Sequence, residues 1–151
     1  SDGRIYMGNQ GEELKAFHTR DGYGIKALRH AGIEVAVITG RRSEIVQQRM
    51  TSLTVPYIYQ GQENKLAAFA ELQQILGLQA SQIAFIGDDL ADWAVMQHCG
   101  LSVAVQDAHP YLVLHADYRC QLPGGFGAVR ELCDLLLTAQ GKFAEFSGSS
   151  T

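Results

Sequence analysis

The stretch Ile83-Ala84-Phe85-Ile86-Gly87-Asp88-Asp89-Leu90-Ala91-Asp92 decides how this 151-residue chain folds. Its first four residues are apolar, which is typical of a short strand that is buried on both faces. Gly87 ends the strand, and the residues after it predict a helix from about Asp89 to His98. A buried strand that leads directly into a helix is the repeating unit of a parallel α/β sheet.

The same alternation of strand and helix continues on both sides of this stretch. Further strands are predicted at 33–39, 55–59 and 101–105, and helices at 21–31, 43–53, 64–76, 109–115 and 128–139. This order implies right-handed crossovers and one parallel sheet between two layers of helices. We therefore predict a three-layer, Rossmann-like α/β fold, with residues 1–146 as a single domain and 147–151 as a small, polar and flexible tail.

The first residues of the chain do not follow this alternation. Two extended arms lie on either side of Gly8-Asn9-Gln10-Gly11, a connection that is typical of a β-hairpin turn. We predict a hairpin over about residues 4–17 that projects from the α/β domain. Because Ile5, Tyr6 and Met7 are apolar, we expect the hairpin to pack against a partner subunit in an oligomer.

The bulk composition argues against several classes of function. The net charge is −4, so the chain lacks a basic surface for nucleic acid, and no apolar run approaches the roughly 20 residues of a membrane span. No signal peptide opens the sequence. The three cysteines, at positions 99, 120 and 133, lack zinc-binding spacing and suit a reducing cytoplasm. We therefore expect a cytoplasmic protein with no nucleic-acid or membrane partner.

Asp88 and Asp89 stand where catalysis is expected, since active sites of parallel α/β sheets lie beyond the carboxyl ends of the strands. Adjacent carboxylates repel each other unless a cation neutralises them, and Mg²⁺ prefers oxygen ligands together with substrate phosphate. Asp92 follows within one helical turn, near the same helix face. The alternative is that Asp88 and Asp89 only cap the helix.

Two other strand ends carry groups that suit a phosphate. Thr39-Gly40-Arg41 offers a hydroxyl, a glycine that permits close backbone approach, and nearby amides, although it could also be an ordinary turn. Lys65 stands at the start of a helix, where a cation is unfavourable unless an anion or a carboxylate lies nearby. The alternative for Lys65 is a solvated surface lysine.

The order of these groups along the chain resembles the second, third and fourth motifs of the haloacid dehalogenase superfamily. The resemblance implies a fold of that type and Mg²⁺-dependent phosphoryl transfer through an aspartyl-phosphate. Thr39 would bind the transferring phosphoryl group, and Lys65 would neutralise its charge, as such a reaction requires. Asp88 and Asp92 would hold the metal, with Asp89 in a supporting catalytic role. Whether Asp92 is a direct ligand is left open.

Further stretches resemble one family of this superfamily, the 3-deoxy-D-manno-octulosonate 8-phosphate phosphatases. They include Arg20-Asp21-Gly22-Tyr23-Gly24-Ile25, Val105-Gln106-Asp107-Ala108-His109-Pro110 and Gly124-Gly125-Phe126-Gly127-Ala128-Val129-Arg130-Glu131. The resemblance implies a capless homotetramer that hydrolyses this sugar-acid phosphate during lipopolysaccharide precursor synthesis. Substrate-binding roles are implied for residues that can contact carboxylate or phosphate, namely Arg20, Gly40, Arg41 and Lys15.

The sequence departs from the superfamily at its first motif. That motif is an aspartate, one residue and a second aspartate, at the end of a strand that would precede Ser1. The first aspartate is the nucleophile, and Asp2 does not replace it, because Asp2 belongs further along the pattern. We expect the chain without this strand to be inactive, and the sheet to have open edges where the strand would lie.

Three alternatives are compatible with parts of the pattern. A nine-carbon, sialic-acid-type sugar phosphate would need similar basic residues. A non-catalytic oligomerisation or binding module would explain the missing motif. A dinucleotide-binding domain is disfavoured, because no G-x-G-x-x-G follows a strand and Gly124-Gly125-Phe126-Gly127 lacks that spacing.

Overall fold

The structure, a computed structural model, describes residues 1–147. Its strands are β1 (Tyr6–Met7), β2 (Glu13–Leu14), β3 (Ala36–Thr39), β4 (Tyr57–Gln60), β5 (Ala84–Gly87), β6 (Leu101–Ala104) and β7 (Tyr118–Arg119). Its α-helices are α1 (Thr19–His30), α2 (Glu44–Ser52), α3 (Lys65–Leu76), α4 (Leu90–Met96), α5 (Pro110–His115), α6 (Ala128–Ala139) and α7 (Phe143–Phe146). From α1 to β6, helices and strands alternate as predicted, which confirms the α/β fold class.

The parallel strands form two separate pieces of sheet. β3 pairs with β4, with Thr39 beside Gln60, and β5 pairs with β6, with Gly87 beside Ala104. β7 lies on the other side of β6. Within residues 1–147, β3 and β5 therefore each have one edge without a strand partner. The sequence predicted one parallel sheet, whereas the parallel strands of residues 1–147 form two pieces, because no strand pairs with both β3 and β5.

Pairs of helices hold the two pieces of sheet together. α1 and α6 pack closely, and Gly24 allows this approach, because a Cβ at that position would lie 2.9 Å from the Cβ of Cys133. α3 contacts both α4 and β3, and α4 contacts β5, so this pair links one piece of sheet to the other. One apolar cluster surrounds the fully buried Val103 and Leu112, and two more lie among α1, α2 and α6.

β1 and β2 form the predicted hairpin. Tyr6 lies opposite Leu14 and Met7 lies opposite Glu13, while Gly11 in the turn has a φ of +88° that favours glycine. Met7 and Leu14 are 75% and 67% exposed. The hairpin therefore leaves large apolar side chains uncovered in the single chain.

The structure also differs from the predicted elements. Residues 33–35 precede β3, because Ile33 donates its N–H to the carbonyl of Leu28 in the turn after α1. β7 and α7 were not predicted, since they are too short to show periodicity. Ser147, the first residue of the predicted flexible tail, follows α7 as its C-cap, and the rest of that tail, 148–151, lies outside the described residues. None of the described helices combines the length and hydrophobicity that crossing a bilayer requires.

Candidate active site

The carboxyl ends of β3, β4 and β5, here called the carboxyl edge, carry most of the predicted site residues. Thr39 is the last residue of β3, Gly87 is the last residue of β5, and Asp88 follows directly. Lys65 begins α3 after β4 and reaches Asp92 in α4, 27 positions further along the chain. Groups from successive strand ends therefore meet in direct contact.

Asp92 joins these groups. Its carboxylate is only 6% exposed, and its Oδ1 accepts a hydrogen bond from the Lys65 Nζ at 2.6 Å. Its Oδ2 accepts hydrogen bonds from the backbone N–H groups of Asp88 at 3.0 Å and Asp89 at 3.3 Å. Both oxygens are thus engaged in charge-assisted hydrogen bonds, the stronger kind in proteins.

Gly87 allows Asp92 to lie this close to the strand end. A Cβ at position 87 would lie 2.4 Å from the Cβ of Asp92, which is closer than two carbon atoms can pack. Asp89 precedes α4 in an extended conformation and accepts a hydrogen bond from the Leu90 N–H at 2.7 Å. Asp89 and Asp92 therefore cap the start of α4 together, and the Asp88 side chain takes no part in this cap.

Asp88 carries the carboxylate best suited to a metal ion. Burial raises its pKa, the charge of Asp92 raises it further, and the charge of Lys65 opposes this rise. A hard cation would stabilise the charged form, and Mg²⁺ is commonly held by one or two carboxylates together with phosphate and water. Asp88 fits this role. Asp92 stays a predicted ligand, and in this structure its oxygens accept hydrogen bonds from Lys65 and the backbone.

The turn after Thr39 is ordered and open. The Thr39 Oγ1 accepts a hydrogen bond from the Arg41 N–H at 3.3 Å, and the Thr39 carbonyl accepts one from the Gln62 N–H at 3.0 Å. At Gly40, a Cβ would meet only the carbonyl oxygen of Gln62, at 3.7 Å. The turns after β3 and β4 are thus tied together, with space left at Gly40 for a ligand.

Two further residues, Gln60 and Ser43, order the same turn. The Gln60 Oε1 accepts a hydrogen bond from the Ser43 N–H at 2.7 Å, and the Gln60 Nε2 donates to the Oε1 of Gln47 at 3.1 Å. The Ser43 hydroxyl is buried at the start of α2 without a hydrogen-bond partner among residues 1–147. Gln60 stands at the end of β4, and strand ends are where the sequence predicted functional groups, whereas no sequence signal indicated Ser43.

Lys15 and Arg41, both predicted to bind substrate, are near charged groups of the hairpin. The Lys15 Nζ lies 2.7 Å from the Glu13 Oε1, and this contact lowers the pKa of Glu13, with a smaller contribution from the charge of Arg41. Lys15 is thus paired with Glu13 next to β2.

Arg20 lies in a different place. It belongs to the first turn of α1 and lines a surface cavity with Tyr23, Arg130 and residues of α7. None of the residues that line this cavity belongs to the carboxyl edge. The structure joins Lys65 with the Asp88-Asp89-Leu90-Ala91-Asp92 segment through hydrogen bonds, and it does not bring Arg20 into that group.

Comparison with known proteins identifies the family. Residues 54–123 match a model of haloacid dehalogenase-like hydrolases. The 3-deoxy-D-manno-octulosonate 8-phosphate phosphatase of Escherichia coli strain K12 is 57% identical over 150 residues, which cover 99% of this chain and 80% of that protein. The phosphatase of the same name from Yersinia pestis is 56% identical over the same shares of the two chains.

Solved structures agree with the sequence comparison. The crystal structure of the Yersinia pestis phosphatase has a TM-score of 0.94 and 57% identity, covering 95% of this chain and 77% of that one. The Moraxella catarrhalis phosphatase, solved in complex with magnesium ion, phosphate ion and KDO, has a TM-score of 0.96 and 40% identity, covering 100% and 87%. The chain belongs to the 3-deoxy-D-manno-octulosonate 8-phosphate phosphatase family of haloacid dehalogenase-like hydrolases.

Proposed function

We propose that this protein acts as a Mg²⁺-dependent phosphatase on 3-deoxy-D-manno-octulosonate 8-phosphate and releases the free sugar acid and phosphate, a step of lipopolysaccharide precursor synthesis. The observation that carries the proposal is the 2.6 Å contact between Lys65 and Asp92, which fixes an ammonium group beside the Asp88 loop. The relatives at 57% identity carry the name of this activity, and one relative was solved with magnesium, phosphate and KDO.

The residues of the carboxyl edge have complementary roles in this proposal. Lys65 uses one N–H donor on Asp92 and keeps two for phosphoryl oxygens, whose charge it neutralises. Thr39 and the backbone at Gly40 and Arg41 bind the same phosphoryl group. Asp88 holds Mg²⁺, which when bound neutralises charge on the transferring group. Asp89 caps α4 and thereby keeps the Asp88 loop in place.

The proposed reaction also needs a nucleophilic aspartate. Asp92 and Asp89 are engaged in the start of α4, and Asp88 is assigned to the metal. By resemblance to the superfamily, the nucleophile belongs to an Asp-x-Asp strand that would precede Ser1. We infer that this strand lies against an open edge of β3 or β5 and is required for turnover.

The direct test is phosphate release from 3-deoxy-D-manno-octulosonate 8-phosphate, for the 151-residue chain and for a version extended upstream through an Asp-x-Asp strand. We expect turnover only in the extended version, with loss of activity when EDTA removes Mg²⁺. K65M in the extended version should lose activity, whereas K26M, which changes an exposed lysine of α1, should keep it.

Other results would change the proposal in defined ways. Turnover by the short chain would show that another group supplies the nucleophile. Turnover of a nine-carbon sialic-acid-type phosphate, but not of the eight-carbon substrate, would replace the substrate assignment. A folded extended version that hydrolyses neither substrate would favour a non-catalytic binding module.

We also propose that the protein is a cytoplasmic homotetramer in which the hairpins contact partner subunits. The exposed Met7 and Leu14 side chains support a hairpin contact, because large exposed apolar groups favour association. Light scattering should give a tetrameric mass, and replacement of both residues by serine should lower it. A monomeric mass for the unchanged chain at micromolar concentration would contradict the proposal, and cell fractionation tests the location.

A further inference from the structure

A surface cavity of about 560 Å³ lies between α1, α6 and α7, and we refer to it as the arginine cavity. It is lined by seven residues: Thr19, Arg20, Tyr23, Arg130, Phe143, Phe146 and Ser147. Two of them are cationic, three are aromatic, and none is acidic. Apolar walls with a few polar groups are typical of sites that bind small molecules.

Arg130 is held in a fixed orientation in this cavity. Its guanidinium carbon lies 4.9 Å from the centre of the Tyr23 ring, and its Nε donates a hydrogen bond to the Asp134 Oδ1 at 2.7 Å. Its backbone N–H donates to the Asp21 Oδ1 at 2.9 Å. Among residues 1–147, the two terminal nitrogens of Arg130 have no hydrogen-bond partner. They are thus available as a planar fork for an anion.

Arg20 adds a second positive charge. Its guanidinium makes no hydrogen bond or ion pair within the described part of the chain, and the residue stands in the first turn of the 12-residue helix α1. Arg130 stands in the first turn of α6, which is also 12 residues long. Two cations near two helix starts, with no carboxylate on the cavity wall, favour an anion between them.

The aromatic side of the cavity is also held in place. The Tyr23 hydroxyl donates a hydrogen bond to the Phe146 carbonyl at 3.0 Å, which fixes α7 against α1. Phe143 and Phe146 are partly buried and pack against the cluster between α1 and α6. The wall beside the two arginines can therefore cover an apolar or aromatic group of a ligand.

We propose that the arginine cavity is a second ligand site, which binds a phosphate or carboxylate group attached to an aromatic or apolar body. The inference rests on the charges and contacts of α1, α6 and α7. It does not depend on the proposed phosphatase activity, because the cavity shares no lining residue with the carboxyl edge.

The test is calorimetric titration of the 151-residue protein, in EDTA, with phenyl phosphate, benzoate and inorganic phosphate. Phenyl phosphate should bind more tightly than inorganic phosphate, and benzoate shows whether a carboxylate suffices. R20M and R130M should each weaken phenyl phosphate binding by about tenfold or more. The controls K26M, on the same helix outside the cavity, and K65M, at the carboxyl edge, should leave it unchanged.

R20M should fold as the unchanged protein does, because the Arg20 side chain makes no hydrogen bond or ion pair in the described structure that the substitution could remove. Three results would overturn the proposal: no binding of any probe to the unchanged protein, binding that K65M abolishes and R20M does not, or equal affinity for phenyl phosphate and inorganic phosphate. The second result would place the probe at the carboxyl edge instead.

Discussion

Asp92 has hydrogen bonds to three other residues of the carboxyl edge, Lys65 through one oxygen and the amides of Asp88 and Asp89 through the other. Removing one partner of a buried ion pair costs about 3–5 kcal/mol, because the remaining charge is left uncompensated. The side chains of Lys65 and Asp92 are only 14% and 6% exposed. Asp92 should therefore affect both the stability of the fold and the position of Lys65.

We predict that D92N lowers kcat of the upstream-extended enzyme by about a hundredfold, since the amide no longer fixes the Lys65 ammonium group. The free energy of unfolding in urea should fall by about 3 kcal/mol. The Mg²⁺ concentration that gives half-maximal activity should change little in D92N and should rise strongly in D88N. E63Q, an exposed change near Lys65, is the control, and equal metal responses for D92N and D88N would show that Asp92 is a ligand.

The cysteines give a second prediction for single residues. Burial raises the pKa of the Cys120 and Cys133 thiols to about 12, so both remain protonated at pH 8. Cys99 is only partly buried. Iodoacetamide should therefore label Cys99 first in the native protein, as read by mass spectrometry, and all three cysteines in guanidinium chloride. Early native labelling of Cys133 would contradict the packing of α1 on α6.

Asp117 and Ser102 connect two strands at the scale of elements. The Asp117 carboxylate accepts hydrogen bonds from the Ser102 N–H at 2.8 Å and from the Ser102 hydroxyl at 2.6 Å, and these bonds lower the pKa of Asp117. The Asp117 N–H in turn donates to the Ser102 Oγ at 3.0 Å. The link joins the residue before β7 to the buried strand β6.

We predict that D117N lowers the free energy of unfolding at pH 7 by about 1 kcal/mol or less, because solvent screens the exposed Asp117 carboxylate. Because the folded pKa lies below the ordinary value of 3.8, the charged Asp117 stabilises the fold above that pH. This contribution is lost as the pH falls through the folded pKa. Urea unfolding at a series of pH values from 7 to 2 should show that the free energies of unfolding of the two proteins converge as the pH falls. A difference in free energy that stays constant with pH would contradict this account.

The sequence predicted elements best where a pattern was long enough to repeat. The helix over 128–139 was predicted with its observed bounds, because apolar residues recur at helical spacing after Gly127. β7 was missed, because two residues show no period and its position depends on the contact of Asp117 with Ser102.

The sequence likewise predicted only part of the candidate site. Thr39, Lys65 and Asp88 follow strand ends, which sequence can locate. The contact of Lys65 with Asp92 depends on how α3 packs against α4, and the location of Arg20 depends on how α1 packs against α6. The sequence indicated that Lys65 needs an anion or a carboxylate nearby. It did not identify Asp92 as that partner or the location of Arg20, because packing distances between elements are not encoded in a local pattern.

At the scale of the whole molecule, the contact between α1 and α6 determines how stability responds to a change at Gly24, whereas the other buried glycine of α1, Gly22, faces α2. G24A places a Cβ 2.9 Å from Cys133 Cβ and should lower Tm and cost about 1–3 kcal/mol of stability. The matched change G22A meets the flexible end of Arg49 at 2.5 Å and the buried Leu53 Cδ2 at 3.2 Å, and it should cost less stability than G24A, because the Arg49 side chain can move and alanine favours a helix over glycine. Thermal unfolding followed by circular dichroism gives the Tm of both variants, and an equal loss of Tm in the two would contradict this prediction.

The same contact has a consequence for how the protein is made. Asp21 in α1 binds the backbone of Arg130 in α6, 109 positions later in the chain. During synthesis, the apolar face of α1 is therefore exposed long before α6, the helix that covers it, has left the ribosome. Nascent chains that end before α6 should be held by chaperones and remain sensitive to protease, and protection should arrive late, when the last third of the chain is released.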